Sequence, residues 1–459
     1  MQDSLNDTIA AISTPVGFGG IGIIRISGKD SLKIADKIFI SPTSARPSSF
    51  KTYTTHYGTI VDNGRVLDEV ILTVMLRPKS YTKDDVVEIN CHGGIVAMRD
   101  CLELVLKNGA RLASPGEFTK RAFLNGRIDL AQAEAVLDII RAKTDSSLKV
   151  GVEQLKGKVS LKINACRELL LDILSVLEAS IDFPEDDVTK MDLEKLVFKN
   201  NKAQELLKGM LDNSGLARIF RDGIHMVICG KPNVGKSSLL NALLKEERSI
   251  VTPVAGTTRD TIEEVIDIKG IPIRIVDTAG ILEPRDLVEK KAVVRSKKEI
   301  ERADIVVIIF DGSKELSTED LLLMKRLKGK NVISVINKID LKQKIERKKI
   351  SQVFKNIVDL SAKKGKNIFL LEKAIFDLVN SGLILSSESV MVGNLRHIQL
   401  LRQAQKNVAL AAKSLDNRLP LEFIAQDIRE ALGFLDDILG KRFSTDLLDK
   451  IFSEFCIGK

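Results

Sequence analysis

One segment limits the fold more than any other: Gly230-Lys-Pro-Asn-Val-Gly235-Lys236-Ser237. It matches the spacing G-x-x-x-x-G-K-[ST] and lies between an apolar run, HMVIC, and a helix-forming run, SLLNALL. A glycine-rich turn in that context brings backbone N–H groups and a helix N-terminus together as a cradle for phosphates. Lys236 is placed to neutralise β- and γ-phosphates, and Ser237 to ligate Mg²⁺. The context predicts an α/β domain with a mostly parallel sheet. MVICG, IRIVDTAG, DIVVIIFDG and VISVINKID read as its buried strands.

Further segments turn a phosphate loop into a nucleotide site. Asp277-Thr278-Ala279-Gly280 ends a strand; its carboxylate would hold Mg²⁺ through water, and the Gly280 N–H would sense a γ-phosphate. Asn337-Lys338-Ile339-Asp340 follows VISVI. A carboxylate at Asp340 accepts from the N1–H and amino group of guanine, a pair that adenine does not offer, so GTP is favoured over ATP. Ser361-Ala362-Lys363 has the form of the loop that closes over guanine in GTPases. Thr257 and Thr258, in AGTTRD, sit where a switch loop would complete the Mg²⁺ shell. The expected GTP contacts are Asn233, Val234, Gly235, Lys236, Ser237 and Ser238; Thr252, Pro253, Val254, Ala255, Gly256, Thr257 and Thr258; Asp277, Thr278, Ala279 and Gly280; Asn337, Lys338 and Asp340; and Ser361, Ala362 and Lys363. Ser237 and Thr258 are the expected Mg²⁺ ligands. Ras-like enzymes place a water-orienting Gln directly after D-x-x-G. This chain has Ile281 there, so hydrolysis needs another group.

The rest of the 459 residues allow about two more domains. Proline placement divides them: only Pro184 lies between Pro115 and Pro232, and none lies between Pro284 and Pro420. IGIIRIS (21–27), EVILTVML (69–76) and DVVEINC (85–91) predict strands, and a helix is expected over about Ile95–Leu106. From Leu130 to Asn213, and again after Ser386, apolar residues recur at helical spacing. The last helices are too few to make a core alone, so they should pack on the earlier helical block. The α/β segment is then an insertion into one helical domain.

Composition excludes several classes. No apolar stretch approaches the length of a membrane span. The start, MQDSLNDTIA, lacks a basic or apolar leader pattern. Five cysteines without C-x-x-C argue against a disulfide framework or a Cys zinc site. A soluble, cytoplasmic protein with no membrane association is expected. The net charge is +8. It is concentrated in residues 217–382, with 32 Lys+Arg against 23 Asp+Glu. Gly17-Phe-Gly19-Gly20-Ile-Gly22 fits a dinucleotide fingerprint but leads into a strand rather than a helix, so a tight turn is the better reading. Cys91-His92-Gly93-Gly94 reads as a structural turn with a hydrogen-bonded His.

The whole chain resembles the MnmE (TrmE) family of tRNA-modification GTPases. DTIAAISTPVGFGGIGIIRISG, SPGEFTKRAFLNGRIDLAQAEAVLDII, IDFPEDD, GKPNVGKSSLLNAL, AGTTRD, DTAG, NKID and the ending FCIGK carry the resemblance. It implies a multidomain α/β and α fold: a tetrahydrofolate-binding α+β domain (1–119), a helical domain in two parts (120–216 and 383–459), and an inserted Ras-like P-loop GTPase domain (217–382). It implies a homodimer that forms a heterotetramer with an MnmG-like FAD protein. Together they would add an aminomethyl or carboxymethylaminomethyl group to carbon 5 of the tRNA wobble uridine, with the carbon from a methylene-tetrahydrofolate. By matching motif, Arg25, Glu88, Arg127 and Lys459 would bind 5,10-methylene- or 5-formyl-tetrahydrofolate; the family also uses Lys at the Arg127 position. Cys456 is a candidate reactive thiol. Glu289, twelve residues after Asp277, falls on the family's candidate for orienting the catalytic water. The resemblance also implies a K⁺ ion, for which Asn233, Thr252, Val254 and Thr257 are the expected ligands. A ribosome-assembly or RNA-binding GTPase without modification chemistry is the alternative that the GTPase motifs alone leave open.

Overall fold

The computed structural model describes residues 7–183, 190–246, 263–277, 298–380 and 391–459. Among them the chain forms two units. The first holds Met1–Leu137 and Asp436–Lys459; the second holds Asp138–Leu435.

Alternating apolar and polar residues build the sheet of the first unit. Its strands are β1 (Ile9–Ile12), β2 (Ile21–Ser27), β3 (Phe39–Ile40), β4 (Thr54–Asp62), β5 (Arg65–Met75), β6 (Val86–His92) and β7 (Arg111–Leu112). They are ordered β3-β4-β5-β6-β2-β1-β7. Every pair is antiparallel except β1 with β7. β4 and β5 are joined at Asn63-Gly64, whose φ values of 48° and 84° suit a tight hairpin turn. Ile24, Ile26, Leu72, Val74, Val87 and Ile89 face the core and meet Ile34 and Ile38 of one helix and Met98 and Val105 of another. The helix Thr445–Ser453, near the chain's end, packs on Glu117–Leu124 of the same unit. Phe123, Leu448, Phe452 and Phe455 form the apolar seam. Beside it Arg121, only 1% exposed, donates to the Asp7 carbonyl at 2.9 Å and to the Glu117 carboxylate at 3.0 Å.

The sheet of the second unit has β8 (Ile224–Cys229), β9 (Glu263–Ile268), β10 (Ile271–Asp277), β11 (Ile305–Asp311), β12 (Val332–Asn337) and β13 (Asn356–Asp359). The order is β13-β12-β11-β8-β10-β9, parallel throughout except for β9. β11 is apolar almost without interruption because both faces are covered. Ile305, Val307 and Ile309 enter one core, while Val306, Ile308 and Phe310 enter the opposite one. The strand period of two thus feeds two helix layers. Outside this α/β part, the helix Lys190–Asp212 that precedes it packs against Leu395–Asp416 that follows it. The buried Asn200 carboxamide donates to the Val408 carbonyl across that seam at 3.2 Å. The helix N-cap Thr144 donates to the Gly270 carbonyl in the β9–β10 turn at 3.0 Å.

Candidate functional site

Parallel strands open their carboxyl ends toward one edge of the sheet, and ligands of α/β domains bind there. β8 ends at Cys229 and the loop Gly230–Gly235 turns the chain into the helix Lys236–Glu246. Gly235 sits at φ 103°, and a side chain there would collide with the Asn337 carboxamide. The loop surrounds part of a cavity of about 580 Å³. Asn233, Gly235, Lys236, Ser237, Ser238, Asn337, Lys338, Asp340 and Lys363 line it, with Pro232 and Leu341. Two loop carbonyls, of Gly230 and Lys231, accept from the Lys236 ammonium at 3.0 and 2.8 Å and fix it inside the loop.

One buried side chain joins the separate motifs. Asn337 donates to the Val234 carbonyl at 2.8 Å and accepts from the Lys338 N–H at 2.8 Å and the Ala362 N–H at 3.0 Å. Lys338, in the left-handed region at φ 66°, donates to the Asn233 carbonyl at 2.9 Å and to Asp311 at 2.7 Å. Burial works to raise the Asp311 carboxyl, but hydrogen bonds from Lys338 and Ser313 outweigh it and hold the group below its ordinary value. Asp340 accepts from the Ser361 hydroxyl at 2.6 Å. That bond, with help from Lys364 and Lys363, holds its carboxyl below the usual range. Asp340 is therefore an ionised, acceptor-only group at neutral pH, suited to the two donors on one edge of guanine.

The first unit holds a second cluster. Arg25 and Glu88 are opposite one another in the β2–β6 register. The Arg25 Nε donates to Glu88 at 2.7 Å, and both side chains keep 18% exposure. A second Arg25 nitrogen donates to the Gly458 carbonyl at 3.1 Å. Gly458 has φ 94°, and a Cβ there would meet Ser13 Cα at 2.9 Å, so only glycine lets the chain's end lie this close to β1. The Phe118 N–H donates to the Lys459 carbonyl at 3.1 Å. Arg25 lies 5.6 Å from the Phe118 ring and 6.0 Å from the Tyr81 ring, and Arg127 lies 4.7 Å from Tyr81. Burial pushes the Tyr81 phenol above its ordinary value, so the ring stays neutral. His92 Nδ1 meets Asp68 at 2.6 Å, a hydrogen-bonded turn. Cys456 is free and exposed.

A profile of the MnmE helical domain matches residues 130–456. A profile of the GTP-binding protein TrmE N-terminus matches residues 8–127. The tRNA modification GTPase MnmE of Clostridioides difficile is 46% identical over 99% of this chain and 100% of its own. The protein of that name from Bacillus licheniformis is 45% identical over the same shares. The chain belongs to the MnmE family of tRNA modification GTPases. As an MnmE-family member it is a GTPase of tRNA modification. Among solved structures, Era of Aquifex aeolicus bound to GDP·AlF4⁻ aligns at 32% identity over 41% of this chain and 67% of that one. Its TM-score of 0.28 is too low to bear on the fold.

The structure brings the phosphate-loop residues and both base-loop segments of this MnmE-family chain to one cavity. Val234 and Ala362 have buried side chains and take part through their backbones. Asp277 ends β10, parallel to β8. Thr252, Pro253, Val254, Ala255, Gly256, Thr257, Thr258, Thr278, Ala279, Gly280 and Glu289 lie outside the described residues. Two contributors escaped the sequence reading. Lys231 reaches Ser317 and Asp320, both at 2.7 Å, and braces the loop from outside. Asp311 anchors Lys338; an Asp ending a buried strand, in FDG, was the available signal. Among the described residues no helix is long and apolar enough to cross a membrane. No described group of three or more His, Cys, Asp or Glu could hold a metal ion.

Proposed function

We propose that this GTPase works with an MnmG-like flavoprotein to build an aminomethyl-type group on carbon 5 of the tRNA wobble uridine. The observation that carries this reading is the meeting of Arg25, Glu88 and the Gly458–Lys459 end of the chain. An RNA-binding GTPase without modification chemistry has no use for such a cluster. A cation pair and a carboxylate suit a reduced folate: the carboxylate accepts from the donor edge of a pterin, and cations meet the glutamate carboxylates. The folate would supply the carbon. Mass spectrometry of tRNA nucleosides from a deletion strain, complemented with the wild-type chain or with Arg25→Ala, tests it. A wobble modification that persists in the deletion strain would refute the reading.

The GTP site would supply motion. Ser237, at the start of its helix, and Thr258 would hold Mg²⁺ against the phosphates. Asn233 supports a K⁺ role, because its carboxamide lines the cavity and makes no hydrogen bond among the described residues. Thr252, Val254 and Thr257 would complete that site, and Glu289 would orient the water that attacks GTP. A homodimer would pair two such domains, and a heterotetramer would follow when the flavoprotein joins. Cys456, exposed beside the folate cluster in sequence, is the candidate thiol for the uridine chemistry.

A further inference from the structure

The first unit also has a cavity that sets two further cations, Lys79 and Lys83, beside Arg127 of the expected folate site. It holds about 420 Å³ and is lined by Tyr53, Lys79, Tyr81, Lys83 and Arg127, together with three uncharged residues. No carboxylate lines it, and among the described residues none pairs with its three cations. Lys83 spends one ammonium donor on the Gly126 carbonyl at 2.9 Å and keeps two.

Two observations bear on what the cavity does. The first is continuity. Tyr81 carries Arg127 at 4.7 Å and Arg25 at 6.0 Å from one ring, so the cavity adjoins the Arg25–Glu88 cluster across a single side chain. The Tyr81 hydroxyl is tied to Thr119 at 2.9 Å, which fixes the ring between the two sites. The second is backbone strain. Nine described non-glycine residues have positive φ. Two of them, Asn233 and Lys338, line the nucleotide cavity. Two more, Tyr53 at 62° and Lys83 at 61°, line this one. L-residues in the left-handed region collect at ligand clamps, where a particular side chain is worth the strained backbone.

We propose that this cavity binds the poly-γ-glutamate tail of a reduced folate whose pterin end lies at Arg25 and Glu88. The proposal rests on the folate reading above. Each γ-linked glutamate adds one α-carboxylate, and Lys79 and Lys83, lining one cavity with Arg127 beside the folate cluster, match a chain of such charges. A monoglutamate would engage only the nearest of them.

Calorimetric titration of the full chain with the monoglutamate and the pentaglutamate of 5-formyl-tetrahydrofolate tests this. The pentaglutamate should bind about tenfold tighter, the effect of two partly screened ion pairs. Raising the salt should shrink that ratio. Lys79→Ala combined with Lys83→Gly should bring it to about one; glycine at 83 keeps the left-handed backbone without strain. Equal affinities in the wild type at low salt would overturn the proposal and leave the folate reading standing. Failure of both forms to bind would overturn the two together. A variant with an unchanged folate ratio but weakened tRNA binding would assign the cavity to RNA phosphates and overturn the proposal as well.

Discussion

Replacing Asn337 should do more damage than replacing any residue that touches the nucleotide alone. Asn337→Ala removes three hydrogen bonds at once. Two of the groups left behind, the Val234 carbonyl and the Ala362 N–H, belong to residues only 2% and 6% exposed. Each buried group left unpaired costs about 1–3 kcal/mol, giving about 2–6 kcal/mol for the pair. At about 2–4 °C per kcal/mol for a unit of this size, the nucleotide-free midpoint should fall by at least about 4 °C. Asn337→Asp is the control. It keeps both acceptor bonds, loses the donor to Val234, and should show a smaller drop. Scanning calorimetry without nucleotide reads both. A drop below about 1 °C in Asn337→Ala, or equal drops in the two variants, would refute the claim that one carboxamide holds three loops together.

Four further outcomes follow from the two sites. Asp340→Asn should weaken GTP and shift preference toward xanthosine nucleotides, read by competition binding with GTP, ATP and XTP; unchanged GTP affinity would refute the assignment. Because the folded Asp340 carboxyl lies below its ordinary value, its acceptor state is present above that value and is lost only as pH falls through the lowered one; the ratio of wild-type to Asp340→Asn affinity for GTP should therefore stay flat from about pH 8 to about pH 5 in the same competition assay. Hydrolysis should run much faster in potassium than in sodium salts at equal ionic strength, and Asn233→Ala should erase the difference, which steady-state turnover in the two salts measures. Arg25→Ala should weaken 5-formyl-tetrahydrofolate binding while GTP binding holds, both read by titration calorimetry.

Much of the fold could be read along the chain, and the failures have physical causes. The run IGIIRIS predicts a strand over 21–27, and β2 spans Ile21–Ser27. The helix expected over Ile95–Leu106 ends one residue later, at Lys107. β4 escaped notice because only Gly58 and Ile60 of its nine residues are buried, so TTHYGTIVD shows no apolar alternation. An amphipathic stripe says that a helix needs a partner but not which one. Nothing in TDLLDKIFS therefore announced that it packs on Glu117–Leu124. Arg25 and Glu88 became candidates only through the family resemblance. Their pairing depends on the β2–β6 register, which strand sequences do not encode by themselves.

The nucleotide motifs were legible as types, yet the structure gives several of them a second job. Asn337 and Lys338 read as guanine-side residues, but their side chains also hold the Val234 and Asn233 carbonyls of the phosphate loop. Lys338 is in turn held by the Asp311 carboxylate, which Lys338 and Ser313 keep ionised. The base end and the phosphate end are thus tied into one body by protein contacts alone. A ligand that meets loops already in register spends less of its binding energy on ordering them. Affinity for GTP should then depend on Asp311, which does not line the cavity, as well as on the residues that do.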